Sequence, residues 1–155
     1  MLKRVKPIYD LLLIGAISGV AGAIVKDSLE LLILIFIPTF TTCLRLAAGI
    51  VFSSEKVKKS IFPLVGLEID IAVSIVVGII VALVLFHFGF DYWKVKGITI
   101  GLLAWTIIEI TLAKYLSSFP VSTSVLALEI SLLIHLIYGI TVVGVQRLFL
   151  KVEIK

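Results

Sequence analysis

The chain contains one cysteine, Cys43, and two histidines, His87 and His135. A single thiol excludes an intrachain disulfide framework and a cysteine-cluster zinc site. Two distant histidines argue against a metal enzyme. The sequence also has no His-Glu-x-x-His helix, no Gly-rich phosphate loop and no Gly-x-Ser-x-Gly elbow. No cofactor or metal is therefore expected, and an enzyme is the least favoured class. Charge is scarce too: 15% of residues are Asp, Glu, Lys or Arg, against roughly 25% in an average soluble domain. Asparagine is absent, and glutamine and methionine occur once each. So few thermolabile residues point toward a thermophile.

What the chain has in excess is apolar surface, at 61% hydrophobic residues. That excludes the soluble globular and disordered classes. The expected fold is an all-α, polytopic membrane helical bundle forming one domain over 1–155. A bilayer core ~30 Å thick takes ~20 apolar residues per helix. Spans are expected at about 8–30, 64–88, 98–116 and 124–148. A basic start (Lys3, Arg4, Lys6) and Ala21-Gly22-Ala23 imitate a signal peptide, but Asp10 interrupts the apolar region such a peptide needs.

The stretch 31–52 admits two arrangements. Pro38 lacks an amide donor and biases Ile37 away from the helix. Either the first helix ends near Pro38 and a short interfacial or re-entrant helix follows near 42–53, or 31–52 is a fifth span kinked at Pro38. Lysine and arginine collect on the cytoplasmic side of membrane proteins. Four spans with both termini inside put Lys3, Arg4, Lys6, Lys94, Lys96, Arg147, Lys151 and Lys155 there, against Lys56, Lys58 and Lys59 outside. Charge thus favours four, in the bacterial cytoplasmic membrane. Tyr9, Tyr92 and Trp93 then mark the cytoplasmic interface and Tyr115 the opposite one. The net charge of +4 sits at span ends, so it reads as topology and attraction to anionic lipid, with no nucleic-acid partner.

Small residues recur every four positions. Gly15, Gly19, Gly22, Gly78, Gly97, Gly101 and Gly139 mark stripes that let helices approach closely in lipid. Their plain reading is packing within the bundle, in a homo-oligomer, or against another membrane subunit. They also argue against a wide aqueous channel, which polar rings would line.

Ionisable groups in a bilayer cost about 2.5–3.5 kcal/mol each at a helix centre. Those present face the interior and find partners. In the four-span arrangement Glu109 lies roughly 10 Å from the outer end of its helix, Glu129 about 7–8 Å in, and Glu68 and Asp70 about 6–9 Å in. Lys26, Asp27 and Glu30 close the outer part of the first span. Six of the ten acids thus gather in the outer half, with Lys26, Lys114 and Arg45 as available counter-charges. The candidate ion, solute or proton site is Glu109, Asp70, Glu129, His135, Lys26 and Glu30, with Glu109 foremost. Lys26–Glu30 and Lys6–Asp10, four apart, also read as plain structural pairs. His135 reads equally as an imidazole bonding a neighbouring helix.

Val25-Lys26-Asp27, Lys96-Gly97 with Gly101 and Trp105, and Ile137-Tyr138-Gly139 with Gly144 resemble a family of small four-helix membrane proteins of Gram-positive bacteria, the YqhR-like type. The resemblance implies four spans and carries no activity. Two functions stay open: a structural or partner-binding membrane component, and a small carrier or ion- or proton-binding protein.

Overall fold

A computed structural model of the chain describes residues 8–52, 62–117 and 124–151. Every regular element among them is helical. Helix α1 runs Ile8–Phe36, α2 Cys43–Val51 and α3 Phe62–Phe88. Helix α4 (Trp93–Ala104) passes into a π-helical stretch, Trp105–Ala113, and a final turn, α5 (Lys114–Leu116). Helix α6 is Val125–Lys151. Among the described residues two helices, Pro63–Phe88 and Val125–Phe149, are long and apolar enough to cross a bilayer. Lys56, Lys58 and Lys59, and the Lys6 partner of an expected Lys6–Asp10 pair, lie outside the described residues.

The first helix continues beyond its expected end at 30 to Phe36. Nothing in Leu31–Phe36 breaks a helix, and the last α-type bond is Ile37 N–H to Ile33 O at 2.8 Å. Pro38 then stops it. Phe40 N–H closes a turn on Ile37 O at 2.9 Å, and the Thr42 hydroxyl caps α2 by accepting from Arg45 N–H at 3.3 Å. Helix α2 has nine residues, ~14 Å of rise, too short to cross a bilayer. The chain thus takes the first of the two arrangements open for 31–52, with a short helix at Cys43–Val51.

Helix α4 begins at Trp93, earlier than the expected 98. Lys96 is already helical in its backbone, its N–H reaching Tyr92 O at 3.1 Å. Its ammonium turns back to cap the previous helix, donating to Phe88 O at 3.1 Å and Gly89 O at 2.9 Å. Cations suit a helix C-terminus, where carbonyls lack partners. Gly89, at φ 73°, supplies the left-handed residue that ends α3. The π-helical stretch starts where Trp105 N–H is shared between Gly101 O and Leu102 O. Within it the Thr111 hydroxyl donates to Thr106 O, five residues back, at 2.8 Å.

Glycine sets the helix packing. A Cβ on Gly15 would lie 2.6 Å from Ile79 Cα, and Gly19 and Gly78 likewise face backbone atoms of the partner helix. Helices α1 and α3 therefore touch main chain to main chain, antiparallel, since Gly15 meets Ile79 while Gly19 meets Ser74. Gly97, Gly101 and Gly139 do the same for α4 on α6. Gly22 makes room for Tyr138 and Val142, joining α1 to α6. Helix α2 lies on α3, where Leu44 O approaches Gly66.

Candidate functional site

The bundle is apolar outside and carries a set of polar side chains within a largely apolar core. Its rim exposes Leu13, Ile24, Ile35, Val76, Leu103 and Leu133, each more than half accessible. Its interior buries Ser18, Lys26, Asp27, Glu30, Asp70, Ser74, Ser131, His135 and Gln146. Patches of exposed apolar side chains on this scale mark a surface made for another apolar phase.

Lys26 is the centre of the buried group. It is 3% exposed, and its Nζ donates to Asp27 Oδ1 at 2.7 Å and to Asp70 Oδ1 at 3.1 Å. Asp27 is its chain neighbour. Asp70 comes from α3, brought there by the register that the Gly15 and Gly19 contacts impose. Two carboxylates sharing one ammonium cannot lie farther apart than those two contacts laid end to end. Each keeps a buried oxygen, Oδ2, without a hydrogen-bond partner.

One turn further along α1, Glu30 Oε2 accepts the N–H of Cys43 at 2.7 Å. Cys43 opens α2, so this carboxylate satisfies one of that helix's first amides and sits at its positive end. The Cys43 thiol lies 3.9 Å from His135 Nε2, and His135 Nδ1 is 2.9 Å from Ser131 O. That contact fixes a proton on Nδ1, because a carbonyl oxygen only accepts. In the other direction Tyr138 of α6 is buried against Gly22 of α1, and Ser74 is buried one turn from Asp70 on α3. Beyond it the Gln146 amide donates to Ser18 Oγ at 2.8 Å and Gly78 O at 2.9 Å.

The structure thus gathers Lys26, Glu30, Asp70 and His135 from among the expected site residues. It departs from the expectation in four places. Lys26 turns to Asp27 and Asp70, and Glu30 to α2; the simple Lys26–Glu30 pair does not form, because α2 offers Glu30 an amide. Glu129 is on the exposed face of α6, since Ala127, Ser131 and His135 occupy the inner one. Glu68, two residues before Asp70 and nearly opposite it round the helix, is exposed as well. Lys114 is exposed, with its ammonium 5.9 Å from the Tyr115 ring centre, so it is no counter-charge to the cluster. Glu109 belongs to the π-helical stretch, but its side chain lies outside the described residues.

Asp27, counted from the sequence among the six outer-half acids, and Cys43 and Gln146 lie outside the candidate site read from the sequence. Two signals were available: Gln146 is the single glutamine in the chain, and Asp27 adjoins a lysine inside an apolar run. Among the described residues no group of three or more His, Cys, Asp or Glu is placed to hold a metal ion. Compared with known proteins, the chain matches no family model, no curated protein and no solved structure.

Proposed function

We propose that this is a four-span integral protein of the bacterial cytoplasmic membrane, with both termini cytoplasmic, that binds a small cation or a proton in its interior. One observation carries the reading. Asp27 and Asp70, nine-tenths buried, share one lysine, and each has an oxygen left without a partner. Buried charge is retained at considerable cost and marks functional sites in membrane helices. Helix α1 is 29 residues, ~44 Å long, and antiparallel to α3 and α6, as a first span would be. The resemblance to YqhR-like proteins agrees with the four-span count.

The ion site is preferred over a component that docks on a partner through its glycine stripes. Gly15, Gly19, Gly78, Gly97, Gly101 and Gly139 each face another helix of this same chain. The test is thermal unfolding of the purified protein in lipid nanodiscs, titrated with sodium, potassium, calcium and pH. A bound ion stabilises the folded state in proportion to the logarithm of its concentration above Kd. Wild type should show that dependence for one ion, and Asp70→Asn should lose it. Unfolding curves that superimpose under all four titrations would refute the reading.

A further inference from the structure

We propose that the ion held here is a proton, one per chain, shared between Asp27 and Asp70 on the Oδ2 atoms that Lys26 leaves without a partner. The inference rests on the ion-site reading above and names its occupant.

Among the described residues, the buried titratable groups near the pair are Lys26 and Glu30 on α1, Cys43 at the start of α2, and His135 and Tyr138 on α6. Glu30 keeps its charge; it accepts the Cys43 N–H at the start of α2, where the helix end favours an anion, and among the described residues it makes no ion pair with Lys26 and no hydrogen bond with either aspartate. His135 bonds Ser131 O of its own helix. In direct contact, one ammonium thus faces two aspartates. One added proton makes the Lys26–Asp27–Asp70 group neutral; none leaves a net negative charge without solvent around it. The proton forms one O–H bond on either Oδ2 as one O–H bond of a hydronium ion from bulk water breaks, leaving a neutral water molecule.

A metal cation fits less well for two reasons. The position between the two carboxylates is already filled by Lys26 Nζ, in contact with both Oδ1 atoms. A second full cation beside it would meet a like charge at close range. Apolar clusters also flank the site along the bundle axis. Phe40, Ala127 and Ile134 form an apolar cluster on one side, and Val81, Leu85 and Val142 belong to another on the side of the Ile8 end of α1. A hydrated metal ion would have to part these side chains. A proton moves between neighbouring polar groups, and Ser74 with Tyr138, and Glu30 with Cys43 and His135, supply such groups next to the pair.

The experiment is infrared spectroscopy of the protein in lipid at neutral pH, in H2O and D2O, reading the carbonyl band of a protonated carboxyl group. One such band is expected in wild type, moving to lower frequency in D2O. It should vanish in Asp27→Asn and equally in Asp70→Asn, because either change leaves one carboxylate matched to Lys26. Glu129→Gln, on the exposed face, should leave it in place. The wild-type spectrum does not depend on a variant folding: no band at neutral pH overturns the proposal. A band that survives either aspartate substitution overturns the sharing. Stabilisation by sodium, potassium or calcium with no protonated-carboxyl band would remove the proton and leave the ion site standing. Neither a band nor an ion-dependent stability would remove both.

Discussion

Replacing Lys26 by methionine should destabilise the bundle by about 2–4 kcal/mol. Methionine keeps most of the lysine stem, so little cavity forms and the effect isolates the charge. Two magnitudes bracket the result. Removing one partner of a buried ion pair in a soluble protein costs about 3–5 kcal/mol. Polar contacts between membrane helices average only ~0.6 kcal/mol and reach ~1.7, because the separated helices also find partners. The contacts here fall between those cases. Lys26–Asp27 joins neighbours in one helix and persists when the helices separate. Lys26–Asp70 links residues 44 apart in sequence and is lost. The Asp27–Asp70 pair, with its shared proton, would then hold a buried negative charge with no ammonium to balance it. The assay is unfolding by a denaturing detergent, followed through Trp93 and Trp105 fluorescence, for Lys26→Met, Asp70→Asn and the double variant. The two changes should couple by roughly 0.5–3 kcal/mol, the double variant losing less than the sum. Adding Asp27→Asn to the double variant should restore stability close to wild type, since removing every member of a buried charge group is often neutral. A Lys26→Met loss below ~0.5 kcal/mol, or additive single effects, would refute the view that this lysine holds α1 to α3.

Two further expectations concern packing and topology. Gly19→Ala places a methyl group against the Ser74 backbone and should cost roughly 1–3 kcal/mol. Gly144→Ala meets only the edge of Trp93 at 3.4 Å, and should be neutral or stabilising by up to ~1 kcal/mol through helix propensity. Equal losses from both, in the same detergent titration, would contradict the glycine seam. For topology, Ser54→Cys in a Cys43→Ser background should react with a membrane-impermeant thiol reagent from outside intact cells. Reaction only after the cytoplasmic side is opened would overturn the four-span arrangement.

Much of the fold was legible from the sequence. Long apolar runs predict helices able to cross a bilayer, and two such helices form among the described residues; Pro38 cannot continue a helix, and glycines four apart suit close helix contacts. These are local properties, dictated by the solvent each segment requires and the backbone each residue allows. The ionisable residues were legible as a set of candidates, and Lys26, Glu30, Asp70 and His135 do converge. Which of them meet was not local. Helical periodicity gives each acid a direction round its own helix but not the rotation of that helix within the bundle. The α1–α3 register, locked where Gly15 meets Ile79, turns Asp70 inward to Lys26 and leaves Glu68 outside. The rotation of α6 buries His135 and exposes Glu129. The turn at Pro38 folds α2 back so that its first amide takes Glu30, leaving Lys26 to the two aspartates. The sequence alone determined the apolar setting and the few charges able to act in it. Tertiary packing decided which charges share a lysine and which face outward, because partners on different helices are chosen by backbone contact between those helices and not by spacing along the chain.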